Sequence, residues 1–196
     1  KTAVREKKVE DRMKRYQELK SKEASGDRKV LYELALCYEQ GDGVEKNRSI
    51  AFSYLKQAAD KGYYPAMIAM GHCYYYGDSV EQSFIKAKSW FKRAIELVHI
   101  SSLETELLIA ECEIKEQNYE EAVKHLKICK KMNGSGQVDY LLGYLYCNGL
   151  GVELDEETAL YYFRLAAKEK HERAQFEIGR YYVKKYDESS SQEMFH

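Results

Sequence analysis

Proline is nearly absent from this chain: Pro65 is the only one among 196 residues. Proline breaks helices in their interior, so its scarcity favours long uninterrupted helices over a loop-rich fold. No apolar run approaches the roughly 20 residues that a membrane-crossing helix needs. Neither sign of charge dominates, with Lys+Arg 31 against Asp+Glu 32, so no global field points to nucleic acid. Cysteine spacing is uninformative in a useful way. Cys37, Cys73, Cys112, Cys129 and Cys147 make an odd count with no C-x-x-C pair, which argues against a disulfide framework and a zinc ribbon. They read as reduced, mostly buried thiols. No signal peptide is visible, and the first residue is Lys1 rather than methionine, which fits a piece of a longer protein. What the chain has in abundance is tyrosine, 18 in all.

The glycines fall in a pattern. Y-E-Q-G-D-G-V-E-K-N starts at Tyr38, Y-Y-Y-G-D-S-V-E-Q-S at Tyr74, and Y-C-N-G-L-G-V-E-L-D at Tyr146. Tyr74 lies 36 residues beyond Tyr38, and Tyr146 lies 72 beyond Tyr74, two further steps. The same step links Ala51, Ala87 and Ala159, then Tyr54, Trp90 and Tyr162, then Ala58, Ala94 and Ala166. A fixed period of this length is the signature of a repeat array. Each unit reads as two helices. Leu31, Leu34, Ala35 and Tyr38 give an apolar stripe at three- and four-residue steps, and a glycine turn closes that helix. Asn47, Ser83 and Asp155 then stand at the N-cap of the next helix.

A third, divergent unit fills the gap between Leu97 and Val138. It joins Leu107–Cys112 to Asn118–Cys129 without a glycine turn, and Asn118 and Glu121 stand at capping-box spacing. A last first-helix carries Gly179 and Tyr182, 36 beyond Gly143 and Tyr146. The expected organisation is an N-terminal capping region over residues 1–28, with its helix over 3–24, an array over 29–185 and a polar, flexible tail over 186–196.

The pattern L-G-x-x-Y-x-x-G-x-G-V-x-x-D followed by A-x-x-Y-x-x-A-A resembles the Sel1-like repeat, a relative of the tetratricopeptide repeat. Leu142-Gly143, Tyr146, Gly149, Gly151-Val152, Asp155, Ala159, Tyr162 and Ala166-Ala167 carry it most fully. Ser79 replaces the second turn glycine in the second unit, and Ala35 replaces the helix glycine in the first. The third unit looks more like a plain tetratricopeptide repeat. The resemblance implies an all-α fold, a right-handed superhelical solenoid of antiparallel helix hairpins with a concave face. It implies adaptors and scaffolds that hold other proteins, with no catalytic residues and no cofactor. The thiols favour a cytoplasmic place. Some relatives work in the endoplasmic reticulum lumen, and the sequons Asn47-Arg48-Ser49 and Asn133-Gly134-Ser135 keep that alternative open.

Several local patterns invite chemistry and lose to simpler readings. A nucleotide loop needs a strand before it and a third glycine or a lysine in place. Here a helix precedes the turn, and the turn recurs. His125 and Cys129 stand four apart on one helix with Cys112 nearby, yet such sites usually bring four ligands, so they read as core thiols beside a surface histidine. His72 and Cys73 are adjacent and so point about 100° apart on a helix, not at each other. Residues 1–25 carry nine Lys/Arg against five Asp/Glu, but the signs are interleaved as on a solvated face.

The tyrosines supply the candidate site. With first helices on the concave face, as the resemblance implies, one stripe points inward. In the first two units it holds Tyr32, Leu36, Glu39, Ile68, His72 and Tyr75. Further on it holds Leu107, Glu111, Tyr140, Tyr144, Phe176 and Arg180. Aromatic side chains bury large areas with little rotamer loss, which suits a groove for a partner peptide or helix. The expected function is a non-enzymatic protein-binding adaptor. The alternatives are a regulatory or targeting module of a larger enzyme, and a self-associating structural module.

Overall fold

The computed structural model describes residues 2–193, with side chains from 7 to 187. Among these residues every regular element is a helix. They are α1 (Thr2–Ser21), α2 (Arg28–Gln40), α3 (Arg48–Asp60), α4 (Tyr64–Tyr76), α5 (Phe84–Val98), α6 (Leu103–Lys115), α7 (Tyr119–Lys131), α8 (Gly136–Asn148), α9 (Glu156–Lys168) and α10 (Glu172–Glu193). The chain divides into two compact units, residues 1–100 and 101–196. The boundary falls between the second and third sequence repeats. The sequence drew the end of the array at residue 185, but α10 continues as helix to Glu193.

The helix hairpins form where the 36-residue step placed them. At each glycine turn the backbone repeats bond for bond. Gly41 and Gly149 take left-handed φ values of 77° and 62°, which glycine adopts without a Cβ clash. The Asn47 amide then donates to the Tyr38 carbonyl, Ser83 to Tyr74, and Asp155 to Tyr146, all nine residues back. The three caps form as the sequence indicates: Asn47 accepts from the Ile50 amide at 3.0 Å, Ser83 from Lys86 at 3.3 Å, and Asp155 from Thr158 at 2.9 Å. The divergent α6–α7 turn differs. Asn118 makes no side-chain cap; its amide group donates to Glu113 instead, at 3.1 Å, and Glu121 pairs with Lys124. The capping box expected from spacing is therefore not built, and Gln117 just before it takes the left-handed conformation.

In the N-terminal unit the core runs through Leu31, Leu34 and Tyr38 of α2, Ala51, Tyr54 and Ala58 of α3, and Met67 and Met70 of α4. Tyr38 and Tyr54 stack at 5.7 Å. α1 lies against this stack. Its Tyr16 hydroxyl bonds that of Tyr38 at 2.8 Å, Leu19 is buried, and Arg12 pairs with Asp42. Val9 and Met13, placed on the same stripe by sequence, are exposed.

In the C-terminal unit, α7 and α8 share a core of Val123, Leu126, Val138, Leu142 and Leu145. α9 packs Ala159, Phe163 and Ala166 against Tyr140 and Cys147 of α8 and against Ala174 of α10. Tyr146 and Tyr162 stack at 5.8 Å, the same pair as Tyr38 and Tyr54 three periods later.

Candidate functional site

A cavity of about 310 Å³ opens among α2, α3 and α4 in the N-terminal unit. Tyr32, Leu36 and Glu39 line it from α2 and His72 from α4, so four of the six stripe residues expected here do meet in one place. The other two do not line it. Ile68 packs on the core, and Tyr75 lies edge-on to Tyr76 at 4.9 Å and Phe84 at 5.6 Å.

Much of the wall comes from residues the sequence reading did not select. Phe52 and Leu55 line it from the second helix α3, and Tyr76 closes one side, stacked on His72 at 6.0 Å and 67% exposed. The signal for Tyr76 was present, since it stands one helical turn beyond His72. Phe52 was missed because only first helices were taken to face inward. At the rim, Arg48 pairs with Asp78 at 2.9 Å. Burial pushes the Cys73 thiol up to about 11, so it stays protonated and unreactive at neutral pH. The wall is thus largely apolar and aromatic, with charge confined to its edge.

The C-terminal unit holds a cavity at the corresponding place, with a different wall. It opens among α8, α9 and α10 with a volume of about 930 Å³. Cys147 stands 108 residues beyond Glu39, Leu160 beyond Phe52, Phe163 beyond Leu55 and Arg180 beyond His72, and 108 is three periods of 36. Phe176 and Arg180 of the expected stripe line it. Tyr140, Tyr144, Leu107 and Glu111 do not. Tyr140 stacks on His171 at 4.5 Å, and His171 bonds Gln137, which donates to Glu111 at 3.1 Å. These residues form a polar strut inside the unit. Leu107 packs on the α7–α8 core, and Tyr144 stands 39% exposed.

The possible metal pair resolves differently from the sequence reading. His125 is not a surface residue: its side chain is 17% exposed, and its Nδ1 meets Glu106 at 2.6 Å. Cys129 donates weakly to the Leu103 carbonyl at 3.8 Å. Among the described residues no three His, Cys, Asp or Glu side chains converge as a metal site. Among them, too, no helix is long and apolar enough to cross a membrane.

Comparison with known proteins agrees with this architecture. The family model described as Sel1 repeat matches residues 29–63, 65–99 and 138–171, which hold the α2–α3, α4–α5 and α8–α9 hairpins. A protective antigen of uropathogenic Escherichia coli strains displaying an SLR fold is 27% identical, with a TM-score of 0.60. That match covers 78% of this chain and 33% of the antigen. A Sel1 repeat protein from Oxalobacter formigenes is 23% identical, with a TM-score of 0.61, over 79% of this chain and 63% of that one. This chain therefore spans less than two thirds of either relative. No curated protein matched it.

Proposed function

Because this chain belongs to the Sel1 repeat family, whose members generally serve as protein-interaction scaffolds and are typically not enzymes, we propose that it is a non-enzymatic adaptor whose N-terminal cavity receives side chains of a partner peptide. One observation carries the reading. A cavity stands at the corresponding place three periods later, with Leu160, Phe163 and Arg180 at the positions of Phe52, Leu55 and His72, so its place belongs to the repeat and is not an accident of one loop. Its size suits one or two large side chains. Its apolar wall would provide affinity, and Glu39 and the Arg48–Asp78 pair at the rim would provide selectivity. The odd cysteine count, with no C-x-x-C pair, favours a reducing compartment for this work.

The test is a selection of peptides from a displayed random library on the full chain, followed by affinity measurement on Tyr76→Ala and Phe52→Ala variants. Tyr76 is exposed, so its truncation leaves the fold intact. The selected peptides should weaken at least about tenfold on these variants. Peptides that bind the wild type and both variants equally would rule out this cavity.

A further inference from the structure

Within each repeat the first helix is completed by the second helix of its own hairpin, and one contact carries the fit. The ring of Phe91 on α5 fills the space over Gly71 on α4 so closely that a Cβ at Gly71 would overlap it. The ring of Phe163 on α9 fills the space over Gly143 on α8, 2.7 Å from where a Cβ would stand. In α2 and α3 the same two positions hold Ala35 and Leu55, both buried. A larger residue on one side is matched by a smaller side chain on the other.

α10 carries the next glycine of the series, Gly179, 36 residues beyond Gly143. Nothing lies within 4 Å of its would-be Cβ. Its flanks are equally open. Tyr140 and Cys147 of α8 pack on α9, whereas their counterparts Phe176 and Val183 are 67% and 63% exposed. The cavity of about 930 Å³ runs along this face and is three times the N-terminal one; Gly179 lines it, whereas Gly71, under the Phe91 ring, does not line the N-terminal cavity. Nor does α10 turn back to cover itself. Gly149 closes α8, but the residue one period later is Lys185, and α10 runs on as helix to Glu193. Over the described residues α10 therefore does not fold back across Gly179.

We propose that α10 is a docking strip for an amphipathic helix of another protein, laid along it as α9 lies along α8, with one phenylalanine seated over Gly179. The two filled examples give the chemistry of the occupant. α5 presents Ala87, Phe91 and Ala94, and α9 presents Ala159, Phe163 and Ala166. The partner helix therefore carries the pattern A-x-x-x-F-x-x-A. The small residues let the helices approach, and the ring fills the hole, which is the helix-in-groove mode of recognition. The rim pairs Arg180–Glu177 and Lys184–Glu156 are satisfied within the chain, so the apolar centre sets affinity. Gly179 belongs to the C-terminal unit and does not line the N-terminal cavity, so this strip and the proposed peptide site fail or succeed separately.

The experiment uses the full chain and a labelled synthetic peptide copying Asp155–Lys168 of this sequence. A lactam bridge on its polar face keeps so short a helix folded. Binding is read by fluorescence anisotropy. The peptide should bind, and binding should fall at least about tenfold when its phenylalanine is changed to alanine or when the protein carries Gly179→Leu. Gly179→Leu should leave the thermal melt of the protein undiminished, because a Cβ there enters open space. Absence of binding, or binding indifferent to either change, overturns the proposal. So does a concentration-dependent dimer, seen by light scattering, that Gly179→Leu abolishes, since the strip then belongs to a second copy of this chain.

Discussion

Gly151 lies so close to α7 that a Cβ on it would stand 2.6 Å from the Tyr119 carbonyl oxygen and 2.5 Å from the Glu120 nitrogen. Gly43, three periods earlier, lies in the same way against α1, 2.8 Å from the Arg12 carbonyl carbon. α1 thus offers its backbone to the first turn at the place where α7 offers its own to the last. The second glycine of the turn is a contact between neighbouring elements, in addition to being part of a bend.

This predicts opposite effects at one repeat position. Gly151→Ala forces a left-handed φ of 68° and a backbone overlap, and should cost roughly 2–4 kcal/mol. Ser79 holds the equivalent place with φ 67°, so Ser79→Gly should stabilise by about 1 kcal/mol. Urea denaturation of the two variants checks both signs; a stable Gly151→Ala protein would contradict the close approach.

A second prediction concerns the glycines inside the helices. Gly71→Ala should destabilise by about 1–3 kcal/mol, since the Phe91 ring must move. Adding Phe91→Leu should restore part of the loss, because Ala35 and Leu55 already make that pair in the first repeat. Gly179→Ala should do the reverse and stabilise by about 0.5–1 kcal/mol through helix propensity. A double-mutant cycle in thermal melts separates the three.

Alkaline pH should loosen both units. Tyr16 is pushed up to about 12, first by its hydrogen bond to Tyr38 and then by burial. Burial raises the thiols of Cys73 and Cys129 to about 11. Each group prefers to stay protonated when folded. Its contribution is therefore complete below the ordinary value, about 10 for tyrosine and about 9 for the thiols, and is lost as pH climbs through the raised one. Melting temperature should fall steadily between pH 9 and 12, and less steeply in Tyr16→Phe. A flat profile would show that these groups remain accessible in the folded chain.

The caps give a fourth prediction. Asn47→Ala removes the bond to the Ile50 amide and should cost about 1 kcal/mol, as N-caps do. Asn118→Ala removes no cap and should leave the start of α7 unchanged, read by amide hydrogen exchange at Glu120 and Glu121. Asp155 is held below the usual carboxylate range, chiefly by bonds from the Thr158 hydroxyl and amide. Its stabilisation is present above the ordinary carboxyl value and fades as pH falls through the lowered one.

The 36-residue step, the hairpins and three of the caps were legible because each is a local event. A glycine that ends a helix, an aspartate that starts one, and an apolar stripe act within one or two turns of chain. Ile68 and Tyr75 show where that reading stopped. They stand at stripe positions, yet one is drawn into the core and the other turns to Phe84. Position along a helix gives the direction of a side chain, and only the neighbouring helix decides what it meets.

By itself the sequence determined a repeat of helix hairpins, because period, caps and turn glycines repeat what one hairpin requires. The tertiary structure alone decided which tyrosines line a cavity, that Gly43 and Gly151 are contacts, and that Gly179 is an unfilled hole. Those are relations between residues tens of positions apart. They depend on packing volume, which a linear pattern does not contain.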